Sequence, residues 1–151
     1  MVGPDAERSA SVRHMSRLFV TAAAMTSPVF TVVLRKGYGL GAQAMAAGSF
    51  HAPVFTVAWP SGEFGAMGLE GAVRLGYARE LAAIDDPDKR QKLFERMVRA
   101  AYRHGQALNM ASYLEIDNVI DPVDTRGWLL RGLNSAPVPT RRERGRFIDT
   151  W

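Results

Sequence analysis

Two glycine-spaced turns, each entered from an apolar run and each opening a helix, hold the pattern in this sequence most able to do chemistry. In TVVLRKGYGLGAQAMAA (31–47) an apolar strand passes through Arg35 and Lys36 into Gly37, Gly39 and Gly41 and then into a short helix. Main-chain N–H groups at the start of such a helix have no intrahelical partner and converge on one point, where an anion or a developing oxyanion can sit. A second turn, SGEFGAMGLEGAV (61–73), follows Trp59-Pro60 and also feeds a helix. Together they suggest a site built from main chain. Side-chain chemistry is sparse by comparison. The absence of cysteine excludes disulfides, thiolate nucleophiles and Cys-ligated metals. His14, His51 and His104 share no ligand spacing with one another or with carboxylates, so they read as structural and no metal site is expected. Glu63 and Glu70 could serve as bases. Arg35 and Lys36 could attract anions, although a charged strand end at the surface is the plainer reading.

The elements that must position these turns follow from periodicity. Val12, Met15, Phe19, Ala22 and Ala23 share a helical face, and Thr26-Ser27-Pro28 ends that helix. Strands are expected at Val29 to Leu34 and Val54 to Trp59, the first apolar on both faces and so buried between layers. A short helix is expected at Ala42 to Ala47. Both strands carry PVFTV, at 28–32 and 53–57, an internal echo that reads as two similar buried strands or as a duplicated ββα unit. Leu69, Ala72, Val73, Gly76, Tyr77, Leu81 and Ile84 make the next helical face. Asp86-Pro87 then reads as N-cap and first residue of a helix packed through Leu93, Phe94, Met97, Val98, Ala101 and Tyr102 and ended by His104-Gly105. A third strand, Glu115 to Ile120, precedes a helix capped by Asp121-Pro122 that runs through Leu133. Strands joined through helices predict an α/β fold with crossover connections.

A length of 151 residues suits one domain, with 47% hydrophobic and 23% charged residues, ordinary for a globular protein. No apolar run reaches the ~18 residues of a membrane span. The N-terminus lacks the basic-then-apolar order of a signal peptide, so a cytoplasmic location is expected. The net charge of +4 raises a nucleic-acid reading, but half of it comes from Arg141, Arg142, Arg144 and Arg146 set against Glu143 and Asp149 in the tail. Such a tail reads as a solvated or partner-bound extension, and no nucleic-acid partner is expected.

Gly37-Tyr38-Gly39-Leu40-Gly41-Ala42 formally fits a dinucleotide-binding fingerprint. The context opposes it, because the helix stops at Gly48 and the next strand ends in Trp59-Pro60 with no ribose-binding acid. Glycines 62, 65, 68 and 71 stand at every third position, but the run is too short and too poor in proline for collagen.

LRKGYGLGAQAM, FTVAWPSGEFGAMGLEGAV, RELAAIDDPDKR and EIDNVIDPVDTRGWLL, in that order and spacing, resemble the C-terminal half of the carboxyltransferase (β) subunit of biotin-dependent acyl-CoA carboxylases, from about Val2 to Leu133. The resemblance implies a crotonase-like (ClpP/crotonase) α/β fold over residues 1–136, with an Arg-rich tail at 137–151. It implies transfer of a carboxyl group from carboxybiotin, borne on a separate carrier protein, to an acyl-CoA such as acetyl-CoA or propionyl-CoA. Chemistry of that kind asks for oxyanion stabilisation and positioning rather than a side-chain nucleophile. By the same resemblance the amides of Leu40 and Gly41, following Gly39, are the donors to the biotin oxyanion, each worth about 3 kcal/mol in the transition state. Gln43 borders the substrate. The family more often has a second glycine where Leu40 stands, a change that keeps the donor and narrows the approach. Gly68 and Gly71 either line the pocket or serve close packing.

The resemblance implies that the acyl-CoA pocket comes from the N-terminal half of the subunit, to which none of these motifs corresponds. The expectation is a half-subunit that is inactive alone, with an N-terminal carboxyltransferase half and a biotin carboxylase or biotin carrier subunit as partners, in an oligomer. The alternative is a non-catalytic remnant or assembly module retaining the fold. A hydratase or isomerase of the wider superfamily is disfavoured, since no pair of acids is evidently placed for that proton transfer.

Overall fold

In the computed structural model, residues 4–138 are described. Two ββα units follow one another after a short helix α1 (Pro4–Arg8) and the longer α2 (Ser11–Ala24). The first unit is β1 (Phe30–Val33), β2 (Lys36–Tyr38) and α3 (Gly39–Met45). The second is β3 (Phe55–Ala58), β4 (Glu63–Gly65) and α4 (Leu69–Gly76). Helices α5 (Ala78–Ala82), α6 (Pro87–His104) and α7 (Ala107–Ser112) precede the two-residue β5 (Asn118–Val119), a 3-10 turn at Pro122–Asp124 and α8 (Thr125–Ser135).

The pairing explains the repeated pentapeptide. β1 and β3 lie parallel with Phe30 opposite Phe55, Thr31 opposite Thr56 and Val32 opposite Val57, so the echo stands side by side in register. β5 pairs with the other edge of β3, giving a parallel sheet of order β1-β3-β5, and β2 pairs with β4 in a separate parallel ribbon. The three strand pairs are all parallel and cross through intervening chain, as an α/β fold requires, while an isolated antiparallel bridge joins Glu63 to Gln106. β3 is the central strand and all four of its residues are buried, while β1 is an edge strand buried only at Val33. The expectation that β1 is sandwiched between layers therefore holds for β3 instead: an edge strand has one free flank, and the identical apolar residues differ in burial for that reason alone.

Two clusters make the core. Phe55, Val57 and Ile120 gather Phe30, Trp59, Trp128 and Leu129; Val33, Ala58, Phe64, Ala107 and Ile116 gather Phe50 and Met110. α8 reaches the sheet only because residue 132 is glycine, where a Cβ would fall 2.6 Å from the Phe55 ring and 2.7 Å from the Phe30 ring.

Several elements differ from expectation, each for a local reason. β2 and β4 replace stretches read as turns; they have three residues each, include glycine and lack apolar alternation. The helix expected across Leu69 to Ile84 divides at Gly76-Tyr77, where Tyr77 leaves helical geometry at φ −117°. The Asp121-Pro122 cap is real, with Asp121 accepting from the Val123 N–H at 2.9 Å, but it opens a 3-10 turn before α8 begins at Thr125. Asp86 caps α6 as expected, accepting from the Asp88 and Lys89 amides at 2.9 and 3.3 Å. Val12, placed on the packed face of α2, is exposed, as is Ala23. Of the Arg-rich tail, residues 139–151 lie outside the described residues.

Candidate functional site

The β2–β4 ribbon brings the two glycine turns together. Its register sets Lys36 opposite Glu63, Gly37 opposite Phe64 and Tyr38 opposite Gly65, so both chains leave the ribbon at one end. From there Gly39 enters α3, and Ala66 to Gly68 leads into α4.

Gly39 makes the join. Its φ is +59°, in the left-handed region, and a Cβ there would fall 2.6 Å from the Ala66 carbonyl oxygen. Sterics and backbone conformation both demand glycine at this position. The next two residues, Leu40 and Gly41, lie in the first turn of α3, whose amides have no intrahelical partner, and Tyr38 supplies no side-chain cap. Both amides are therefore at the open end of α3.

The remaining glycines behave differently. Apart from its own helix and chain neighbours, a Cβ on Gly41, Gly68 or Gly71 would meet no heavy atom within 4 Å among the described residues. Among the described residues nothing packs closely on Gly68 or Gly71, and open space adjoins both helix starts. Gly68 caps α4 in extended geometry (φ −51°, ψ 128°) without a side-chain bond. Leu40 is 60% exposed and Met45 81% exposed, so α3 carries two large apolar side chains outward. Gln43 is half-buried in the second turn of α3; its carbonyl accepts the Gly48 N–H at 2.8 Å, and its carboxamide has no hydrogen-bond partner among the described residues.

Two tyrosine–glutamate bonds brace this end of the ribbon, and neither was anticipated. The Tyr38 hydroxyl donates to Glu63 Oε2 at 2.9 Å, while Arg35 Nε lies 3.9 Å from Glu63 Oε1. The Tyr102 hydroxyl on α6 donates to Glu70 Oε1 on α4 at 2.8 Å. Burial, followed by the hydrogen bond and charge of Glu63, pushes the Tyr38 hydroxyl well above the ordinary phenol range. The Tyr102 hydrogen bond, followed by a backbone bond, holds the Glu70 carboxyl below the ordinary carboxylate range, with a further contribution from Lys36. A carboxylate so stabilised is a poorer proton acceptor, which argues against Glu70 as a base. Tyr38 was legible only as the residue before Gly39, and Tyr102 only as one more member of the α6 packing face. The histidines are not gathered: His104 Nδ1 lies 3.4 Å from Asn109 Nδ2, and no group of three His, Asp or Glu is placed to hold a metal ion among the described residues.

The profile of the carboxyl transferase domain family matches residues 1–146. The chain belongs to that family. It is 35% identical over 131 residues to the propionyl-CoA carboxylase carboxyltransferase subunit of Haloferax mediterranei, covering 87% of this chain and 25% of the relative. It is also 35% identical over 124 residues to the methylmalonyl-CoA carboxyltransferase 12S subunit of Propionibacterium freudenreichii, covering 82% of this chain and 23% of that one. A solved single-chain, multi-domain long-chain acyl-CoA carboxylase superposes with a TM-score of 0.74 at 59% identity, over 87% of this chain and 12% of that chain. The transcarboxylase 12S hexamer, determined with methylmalonyl-CoA bound, superposes with a TM-score of 0.77 at 29% identity, over 97% of this chain and 28% of that one. The fold is thus the crotonase-like α/β fold of carboxyltransferase domains. This carboxyl transferase domain spans about a quarter of the curated relatives' length, and among its described residues no helix is long and apolar enough to cross a membrane.

Proposed function

We propose that this carboxyl transferase domain is the C-terminal half of a biotin-dependent carboxyltransferase acting on an acyl-CoA, working with an N-terminal carboxyltransferase half, in the cytoplasm. The observation that supports this most is the start of α3, where the Leu40 and Gly41 amides are left without intrahelical partners beside open space at Gly41, Gly68 and Gly71.

The residues present fit the part. Carboxybiotin, delivered on its carrier, would supply the carboxyl group to be transferred. The Leu40 and Gly41 N–H groups would hold the ureido oxygen of carboxybiotin by hydrogen bonds, from a turn that Gly39 lets lie close against Ala66. No proton passes through a side chain of this half: Glu63 and Glu70 are each engaged by a tyrosine hydroxyl and keep the ribbon end in place. Leu40 stands exposed at the approach and limits its width. Gln43, in the second turn of α3, would border the substrate, and Gly68 and Gly71 leave the second helix start open for a ligand to lie across it.

The test is transfer of labelled carboxyl from carboxybiotin to acetyl-CoA or propionyl-CoA, assayed with the purified chain alone and after co-expression with an N-terminal half from one of the relatives. We expect no turnover alone and turnover in the pair. Leu40→Gly should raise the rate with bulky biotin carriers and Leu40→Trp should abolish it without unfolding the domain. A pair that assembles but never turns over, whatever N-terminal half is supplied, would make the chain an assembly module that has kept the fold.

A further inference from the structure

The longest helix carries a feature that the carboxyltransferase reading leaves unused. Phe94, Met97, Val98, Ala101 and Tyr102 of α6 are half-buried against the rest of the domain, α4 foremost. On the opposite side of the helix Lys89, Lys92, Arg96, Arg99 and Arg103 recur at intervals of three and four residues, one continuous stripe over about 21 Å. Lys89 is partly answered by Asp86 at 3.8 Å and Arg99 by Glu95 at 3.8 Å. Lys92, Arg96 and Arg103 have no carboxylate within 4.0 Å among the described residues. Residues 86–104 hold six Lys and Arg against three acids, a net +3. Beside the stripe runs an open groove of about 440 Å³ with Ile84 and Leu93 as its apolar floor and Lys89, Lys92, Arg96 and Arg99 around it.

The complement is on the same chain, elsewhere in the fold. Residues 115–124, which pair with β3 and follow α7, contain Glu115, Asp117, Asp121 and Asp124 and no Lys or Arg. All four acids are exposed. Asp117 and Asp121 each use one oxygen to accept from a backbone amide, of Thr56 and Val123 respectively. Between Asp121 and Asp124 the Val123 side chain stands 80% exposed. An acidic ridge with one apolar knob matches a basic groove with an apolar floor in both charge and polarity.

We infer that the chain docks onto a second copy of itself head to tail, the 115–124 ridge of one copy seated along the α6 stripe of the next, with Val123 over Ile84 and Leu93. Such a contact joins two different patches of the chain: it closes into a ring or propagates, or, where both patches meet at once, closes as a reciprocal pair. It does not depend on the proposed carboxyl transfer and is tested without it.

The experiment is sedimentation of the full chain over a concentration series, with two charge-reversed variants, Lys92→Glu/Arg96→Glu and Glu115→Lys/Asp124→Lys. None of the four residues makes a side-chain bond within the described structure, and circular dichroism verifies that each variant is folded. The wild-type chain should self-associate at about 0.1 M salt and lose at least about tenfold in association constant at about 1 M, where the Debye length falls from about 10 Å to about 3 Å. Each variant alone should be monomeric, because like charges then face each other, and an equimolar mixture of the two should associate again. A monomeric wild-type chain at low salt, or association that survives both reversals, or a mixture that stays monomeric while each variant is folded, overturns the inference.

Discussion

The two ββα units start from the same five residues and arrive at different requirements. In the second, Phe55, Thr56, Val57 and Ala58 are all buried because β3 has a strand on each side; in the first, Phe30, Thr31 and Val32 are only half-buried because β1 has one. At the other end of the units the demand reverses. The first turn needs glycine at 39, where the backbone is left-handed and another main chain lies within reach, whereas the second has glycine at 68 in an ordinary extended conformation facing open space. Sequence identity therefore says little about burial, and glycine identity says little about constraint. Position in the sheet decides the first, and what lies opposite decides the second.

The sharpest way to separate the echoed strands is through their aromatic residues. Phe55 packs at 5.1 Å from Phe30 and 5.5 Å from Trp128, and it is the buried member of each pair. Phe55→Ala should cost about 3–5 kcal/mol, enough to unfold a domain of this size, and Phe30→Ala should cost visibly less. Urea denaturation followed by tryptophan fluorescence reads both, and equal losses would mean that β1 is as enclosed as β3.

Next in size are the two glycines. Gly39→Ala carries about 1–2 kcal/mol for left-handed backbone, and the Ala66 carbonyl adds a clash that moves the turn. Gly68→Ala should change stability by no more than a few tenths of a kcal/mol, the usual difference between glycine and a small residue at an exposed position. Thermal melts of the two variants, run side by side, give the difference directly. In the pairing with an N-terminal half proposed above, Gly39→Ala should also cost carboxyl transfer beyond its loss of stability, since the Leu40 and Gly41 amides move with it.

The third comparison is Thr31 with Thr56. The Thr56 hydroxyl donates to the Phe50 carbonyl at 2.6 Å from a fully buried position, and Thr31 makes no side-chain hydrogen bond among the described residues. Thr56→Val keeps the shape but strands that carbonyl and should lose about 1–3 kcal/mol, while Thr31→Val should be near neutral. Hydrogen exchange at the Thr56 and Asp117 amides would show whether the β3–β5 junction loosens with it.

What could be read from the sequence was whatever a short window encodes. Asp86-Pro87 announces α6, Phe55 to Ala58 announces a buried strand, and Gly39 in a strand-to-helix step announces a strained turn. β2 and β4 were illegible because three residues such as Lys36-Gly37-Tyr38 have no period; each is a strand only because the other lies beside it. α7 was missed for a related reason: six residues make under two turns, and it is set by the Gly62 carbonyl accepting from Ala107 and by the left-handed Leu114 just beyond its end. In the candidate site, the glycine turn into α3 was legible, being local. The contact of Gly39 with Ala66 and the two tyrosine–glutamate bonds join residues 25 to 32 apart; the first and the Tyr38–Glu63 bond depend on the ribbon register, and the Tyr102–Glu70 bond on the packing of α6 against α4.

The two tyrosine–glutamate bonds form a last contrast, between a carboxylate paired within the ribbon and one paired across helices. Tyr102→Phe removes the first cause of the lowered Glu70 value, so the Glu70 carboxyl should rise toward its ordinary 4.5 in an NMR titration. The sign for stability follows. A carboxyl depressed by folding contributes stability that is present above its unfolded value and is lost as pH falls through the lower folded value, so the wild-type chain should weaken below about pH 4.5 more steeply than the Tyr102→Phe variant. The effect is small because both groups are open to solvent, where such interactions are screened. Tyr38→Phe leaves Glu63 beside Arg35 but frees it from the ribbon, and it should leave the Glu70 titration where it was. If Glu70 shifts equally in both variants, the two bonds are one coupled network and the site end of the domain responds as a unit.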